Sequence, residues 1–381
     1  MYIDSGVSLI RSQNVYNIKF EYEGLAHITA DAAKKLDGVT VARGDVLLNI
    51  TGDSVARTCI VPDNVLPARV NQHVAIIRTN PEVLDYRYLN YYLASPFMQA
   101  HMLGLAVGKG ASRNAITKAM IEDFSIPLPP LPVQRRIANI LSAYDDLIEN
   151  NRKQIKLLEE AAQRLYKEWF IDLSFPGHEH TPIINGIPEE WKVDLLGNLI
   201  DFNPTISQTA NSAKLFVPME AISTSSMLID YKNTSITDKN SGSKFEVGDT
   251  LLARITPCLE NGKTAFVSKI YHGEYGVGST EFIVMRSKKL NPYIVYLIAR
   301  TERFRTYAIN SMTGSDGRQR ARVDKLELYT ILRPSQKIID LFSQNAEPIF
   351  SEASTLSEKI FSLQEARDRL LPRLMNCEME V

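Results

Sequence analysis

The chain repeats itself, and that constrains what it can fold into more than any other feature of its sequence. Across 381 residues the second half echoes the first with an offset of roughly 205, far beyond the roughly 20–50-residue unit of a solenoid. SLIRSQNV (8–15) parallels LFVPMEAI (215–222), and RGDVLL (43–48) parallels VGDTLL (247–252). In the second pair a Gly-Asp turn precedes an apolar strand. VAIIR (74–78) parallels FIVMR (282–286), and Asn80-Pro81 parallels Asn291-Pro292. An aromatic helical stretch follows in each copy, YRYLNYYLASPFMQ and PYIVYLIARTERFRT. It leads to a polar, Gly-containing loop, GKGASRNAI (108–116) or GSDGRQRAR (314–322), and then to strand-like DFSIPLP or LYTILRP. Each copy finally enters a long helix, at Gln134 or Gln336. The openings differ. WKVDLLGNLIDFNP precedes the second copy, whereas only about seven residues precede SLIRSQNV, so the first domain is expected to lack an N-terminal strand-turn.

The helical segments carry matching heptads. Leu141, Ile148, Ile155, Ala162 and Trp169 form one row, with Tyr144, Leu158 and Leu165 on a second that Asn151 interrupts. In the other helix Ala346, Ala353, Ile360 and Leu374 face Phe342, Ile349, Leu356, Leu363 and Leu370, with Arg367 as the exception. Such narrow stripes read as coiled-coil seams, and the economical pairing is of the two helices with each other. Antiparallel packing under a pseudo-twofold axis is expected, over about 40 residues or roughly 60 Å. That approaches two turns of B-DNA at roughly 34 Å each. Pro348 should kink or break the second helix, because it has no N–H for the ladder. The expected fold class is α/β (α+β): two duplicated mixed α/β domains, 1–131 and 176–334, with helices 132–175 and 335–376 and a tail, 377–381.

Composition narrows the function. Hydrophobic residues at 44% and charged residues at 23% suit a globular protein, and no apolar stretch approaches the roughly 18 residues of a membrane span. Cys59, Cys258 and Cys377 are scattered without a CxxC pair, which suits a reducing cytoplasm and supports neither zinc nor a disulfide framework. Net charge is −1, so any basic surface must be local. Lys109, Arg113 and Lys118 stand without an acid in 109–118, and 300–322 holds six arginines against Glu302 and Asp316. These two patches include the two equivalent loops. Catalytic motifs are missing. PCLENGKT (257–264) lacks the first glycine of a phosphate loop, Asn291-Pro292-Tyr293 lacks a second proline, and Asp63 has no Asp/Glu-x-Lys after it. His178-Glu179-His180 lies in a Pro/Gly linker without further ligands, so no metal site is expected.

With GVSLIRSQNV, GDVLL and GDTLL, ARITPCLENGKTA, and IPLPPLPVQRRIANILSAYDDLIENN running into the heptad helix, the whole chain resembles the specificity (S, HsdS) subunits of type I restriction-modification systems. The resemblance implies two target recognition domains reading a bipartite, asymmetric sequence in double-stranded DNA. It also implies a non-catalytic role, with two methyltransferase (M) subunits carrying S-adenosylmethionine and restriction (R) subunits using ATP and Mg²⁺ as partners. No cofactor is expected in this chain.

Arginine reads guanine and asparagine or glutamine reads adenine in the major groove, while lysines and hydroxyls mostly hold phosphate. In the first domain this points to Lys109, Ser112, Arg113 and Asn114, with Arg11, Gln13, Asn14 and Arg57 beside them. In the second it points to Ser315, Arg318, Gln319, Arg320 and Arg322, with Arg254 and Lys263. The competing reading is a coiled-coil adaptor whose duplicated domains bind protein; its affinity would lack the steep salt dependence of DNA binding.

Overall fold

The structure is a computed structural model and describes residues 2–107, 115–207, 213–314 and 317–376. It divides into two compact units, residues 1–146 with 364–381, and residues 147–363.

In the first unit, strands β1 (Val7–Ile10), β2 (Ala26–Ile28), β3 (Thr40–Val41) and β6 (Ala68–Val70) form a sheet of order β2-β1-β6-β3, with β1 and β6 parallel. Strands β4 (Val46–Asn49), β5 (Thr58–Ile60) and β7 (Val74–Ile77) form a second, antiparallel sheet of order β5-β4-β7. Strand β4 is buried along its whole length and explains the apolar run VLL. Its side chains alternate. Val46 and Leu48 enter a core shared with helices α1 (Tyr86–Ala94) and α2 (Pro96–Ala106), and Leu47 enters the core of the other sheet. Helix α3 (Leu131–Phe170) leaves the domain.

The second unit repeats this plan. Strands β10 (Lys214–Val217), β11 (Ser235–Thr237), β12 (Ser243–Phe245) and β15 (Gly276–Gly278) form a sheet of order β11-β10-β15-β12, again with its central pair parallel. Strands β13 (Thr250–Ala253), β14 (Thr264–Phe266) and β16 (Phe282–Ser287) match β4, β5 and β7. Helices α4 (Pro292–Arg300) and α5 (Glu302–Asn310) match α1 and α2, and α6 (Gln336–Met375) is the second long helix. Leu252 joins the helix-side core and Leu251 the sheet core, as Leu48 and Leu47 do.

The repeat extends to single hydrogen bonds. Gly44 and Gly248 adopt φ of +80° and +92°, a left-handed turn that glycine adopts without strain. The next residue, Asp45 or Asp249, is buried. Its Oδ2 accepts the N–H of Ala42 or Glu246 at 2.7 Å in both units. Arg78 closes a two-pronged ion pair on Asp45 at 2.7 Å, and Arg286 does so on Asp249 at 2.8 and 2.6 Å.

Two sequence matches fare differently. Asn291 is the N-cap of α4, accepting from Ile294 N–H at 2.8 Å. The N-cap of α1 is Asp85, not Asn80, because four residues intervene between Asn80-Pro81 and the helix. The second unit also carries strands without a counterpart among the described residues of the first. Among them are β8 (Lys192–Leu195), paired with β17 (Thr330–Arg333), and β9 (Ile200–Phe202), paired with β16. The segment bearing β8 and β9 places Trp191, Leu196, Leu199 and Ile200 in the core. The outer neighbour of β7 is absent among the described residues, and Ala75, Ile76 and Ile77 are only half-buried.

The long helices pair start to end. In the first unit Ile137, Ala138 and Leu141 of α3 share a core with Leu371, Leu374 and Met375 of α6. In the second, Ile155, Ala162, Tyr166 and Trp169 of α3 pack with Phe342, Ala346, Ala353 and Leu356 of α6. Within each unit the two helices pack against each other as the heptads lead one to expect. Of the seam residues, Leu141, Ile148, Ile155, Trp169, Leu356 and Leu374 are buried. Leu158, Leu165, Ile349, Ile360, Leu363 and Leu370 are half-buried. The buried face of α3 is displaced from Leu158 and Leu165 toward Glu159 and Tyr166, which face the core of the second unit. Pro348 does not interrupt α6. A proline costs about 3 kcal/mol in a helix interior, while each fully buried Leu or Phe stabilises by roughly 2 kcal/mol. The buried Phe342, Ala346, Phe350 and Ala353 on either side hold the helix together. No helix among the described residues is long and apolar enough to cross a membrane.

Candidate nucleic-acid interface

The two polar loops return to the domain core at the same place, beside the end of the central strand. In the second unit the chain leaving β13 is laddered on both sides. Arg254 N–H donates to Glu281 O at 2.9 Å, and its carbonyl accepts Ala321 N–H at 2.8 Å. Thr256 N–H donates to Gln319 O at 3.1 Å, and Thr313 and Arg320 exchange two backbone bonds at 3.1 and 2.9 Å. Arg254, Glu281, Thr313 and 318–321 are therefore stitched into one rim.

Side chains complete it. Arg320 Nε lies 3.1 and 2.9 Å from the two Glu281 carboxylate oxygens, and Nη2 lies 2.7 Å from Oε1. That pairing holds the Glu281 carboxyl below the usual carboxylate range and raises the Arg320 guanidinium. Arg322 grips Asp324 at 3.0 and 2.6 Å, and Arg318 is exposed beside a half-buried Gln319. Arg254 donates from Nη2 to Ala321 O at 3.3 Å, which props the loop, and Lys263 Nζ donates to Met219 O at 3.0 Å. The basic run 300–322 is thus partly neutralised. Arg300 belongs to the fold: its Nε lies 2.8 Å from buried Glu159, off the line of a hydrogen bond, and Tyr296 Oη donates to the same carboxylate at 2.7 Å. Ser315 lies outside the described residues.

The first unit uses the same frame. Ile50 N–H donates to His73 O at 3.0 Å, and Ile50 O accepts Ile116 N–H at 2.8 Å. His73 stands where Glu281 stands, and Ala115 where Arg320 does, since Thr51 bridges Ala115 as Ile255 bridges Arg320. Here a hydroxyl–imidazole contact takes the place of the ion pair: Thr51 Oγ1 lies 2.7 Å from His73 Nδ1. Lys109, Ser112, Arg113 and Asn114 lie outside the described residues.

Around this rim Arg11 Nη2 donates to Gly24 O at 2.6 Å, and Gln13 Nε2 donates to the same oxygen at 3.2 Å. Arg57 stacks its guanidinium 4.5 Å from the centre of the exposed Tyr16 ring. Asn14 cannot meet a base. It is fully buried, its Oδ1 accepts Arg11 N–H at 3.0 Å and its Nδ2 donates to Glu21 O at 2.9 Å. Its amide shapes the turn instead.

Sequence reasoning missed Glu281, His73 and Tyr16. The first two sit directly before the matched strands FIVMR and VAIIR, so their shared register was the available signal. Among the described residues no three His, Cys, Asp or Glu side chains gather as a metal site.

What the geometry offers is one duplicated backbone frame with two polar rims, the second of which carries Arg318, Arg320 and Arg322. The family model for the type I restriction modification DNA specificity domain matches residues 6–160. The MjaIX specificity subunit of Methanocaldococcus jannaschii is 23% identical, the alignment covering 100% of this chain and 88% of that one. The HindI specificity subunit of Haemophilus influenzae is 22% identical over 98% and 94%. The solved S subunit from M. genitalium shares the fold, with a TM-score of 0.52 and 15% identity over 98% of this chain and 90% of that one. In its duplicated frame, its heptad helices and these likenesses, the chain is similar to the specificity subunits of type I restriction-modification systems.

Proposed function

We propose that the chain selects a bipartite, asymmetric site in double-stranded DNA and has no catalytic activity of its own. Each recognition domain reads one half-site, and the forty-residue helices serve as the spacer. The observation that carries this reading is the repetition of one hydrogen-bonded rim with different side chains, His73 and Ala115 in one copy and Glu281 and Arg320 in the other. A common frame with unlike readers suits two unlike half-sites. Arg318, Arg320 and Arg322 are the readers proposed in the second domain, while Arg254 and Lys263, bound to backbone carbonyls, support them. In the first domain the readers proposed are Arg11, Gln13 and Arg57, together with Lys109, Ser112, Arg113 and Asn114. Two methyltransferase subunits with S-adenosylmethionine, and restriction subunits with ATP and Mg²⁺, supply the chemistry in the cytoplasm.

The test is co-expression with an adenine methyltransferase subunit, followed by sequencing of methylated bases. A split motif with a gap of constant length is expected. Methylation without any motif, or affinity for DNA that does not fall with salt, overturns the reading, because neutralised phosphates must release counterions. Salt-independent binding to protein alone would favour the adaptor instead.

A further inference from the structure

We propose that Glu281 is a positioning residue that aims Arg320 at one base pair of the second half-site; this rests on the DNA-reading role given above. A guanidinium has two edges with paired donors. Glu281 occupies the inner edge of Arg320, through Nε and Nη2 at 2.7 to 3.1 Å. The outer edge, Nη1 with the second hydrogen of Nη2, is the fork that matches O6 and N7 of a guanine. Arg318 O stands at a long 3.4 Å from Nη1, a weak competitor for that edge.

Exposure follows the same division. The Arg320 side chain is 42% exposed and that of Glu281 is 24% exposed, a reader at the surface with its anchor behind. Both are held by backbone. Glu281 N–H donates to Ser279 Oγ at 3.2 Å and its carbonyl accepts Arg254 N–H, while Arg320 is tied to Thr313 in both directions. An arginine restrained before binding loses less freedom on docking, and a fork held at a constant angle tells one base from another.

The charge of Glu281 acts in the opposite direction on unspecific binding. A carboxylate behind the rim weakens attraction to phosphates of any sequence. Its removal should therefore lower discrimination while leaving unspecific affinity equal or higher. A mere folding defect would lower both.

Glu281→Gln keeps the size and loses the charge, and Arg320→Ala removes the reader. Each is co-expressed with the methyltransferase subunit for methylated-base sequencing. The assembled complexes are then titrated with the wild-type motif duplex, with single-base variants of it and with a scrambled duplex of equal length. Arg320→Ala should leave one base pair of one half-site degenerate. Glu281→Gln should blur the same base pair, with discrimination there falling about tenfold, and bind the scrambled duplex at least as well as wild type. The proposal is overturned by an intact motif with Glu281→Gln beside a blurred one with Arg320→Ala. Equal loss on both duplexes, or an Arg320→Ala variant that reads every position, overturns it too. A wild-type chain that yields no motif overturns this proposal together with the function it rests on.

Discussion

The two duplicated domains share a frame and differ at its margins. Both bury an aspartate after a left-handed glycine, clamp it with an arginine and run the same ladder past the end of the central strand. The rim side chains differ in charge, and only the second domain has β8 and β9 among the described residues. Frame residues satisfy buried backbone groups, so their substitution costs stability, whereas the rim residues are more exposed.

Several experiments would break or sharpen this contrast. The largest effect is expected at the extra strands. Trp191→Ala empties a site packed by Phe170 and Phe175 and should cost about 4 kcal/mol in denaturant unfolding of the second unit. A loss under about 1 kcal/mol would show that β8 and β9 are appendages to the core.

The aspartate clamp should matter in both domains, with unequal force. Asp249→Ala should cost about 3 kcal/mol, since it strands the Glu246 N–H and removes the two-pronged partner of the 24% exposed Arg286, leaving that guanidinium its ion pair with Glu246 at 2.8 Å. Asp45→Ala should cost less, about 2 kcal/mol, because Arg78 is 59% exposed and water replaces its partner. The reverse order in unfolding midpoints would contradict the assignment of burial.

Polar helix contacts differ too. In the first unit Asp145 of α3 receives Arg367 of α6 and Tyr91 of α1. In the second, Glu159 of α3 receives Tyr296 and Arg300 of α4. Arg367→Met should cost about 2 kcal/mol, as it leaves Asp145 without its cation. A neutral result would mean that the apolar seam alone sets the helix register.

Acid should weaken the second rim selectively. Glu281 has a folded pKa below its usual 4.5, so its contribution is present above that value and is lost as pH falls through the lower folded value. Between the two values the unfolded chain binds more protons, and stability rises with pH. Stability measured below about pH 4.5 should therefore have a shallower slope in Glu281→Gln than in wild type. An unchanged slope would remove the ion pair from the folded ensemble.

The smallest effect concerns Cys59, buried in the sheet core of the first unit, where desolvation pushes the thiol up to about 12. A water-soluble thiol reagent at pH 8 should label the half-exposed Cys258 and reach Cys59 only on unfolding. Equal labelling, read by peptide mass spectrometry, would show that this core opens.

The duplication, the strand cores and the long helices were legible in the sequence, because each rests on local periodicity repeated in order. GDVLL and GDTLL became matching strands, and the rows from Leu141 to Trp169 and from Phe342 to Leu374 became paired helices. Tertiary structure decided what a residue's partners are. Asn14 has the chemistry of a base reader, yet burial consumes its amide. Pro348 has the chemistry of a helix breaker, yet the packing around it outweighs one missing hydrogen bond. Arg300 and Arg320 look alike along the chain, but one is sunk against Glu159 and the other is held at the surface by Glu281. Periodicity reports which face is apolar. Which buried or charged groups meet depends on contacts across 39 residues, as for Arg320 and Glu281, or 222, as for Arg367 and Asp145, and these exist only once the cores have closed.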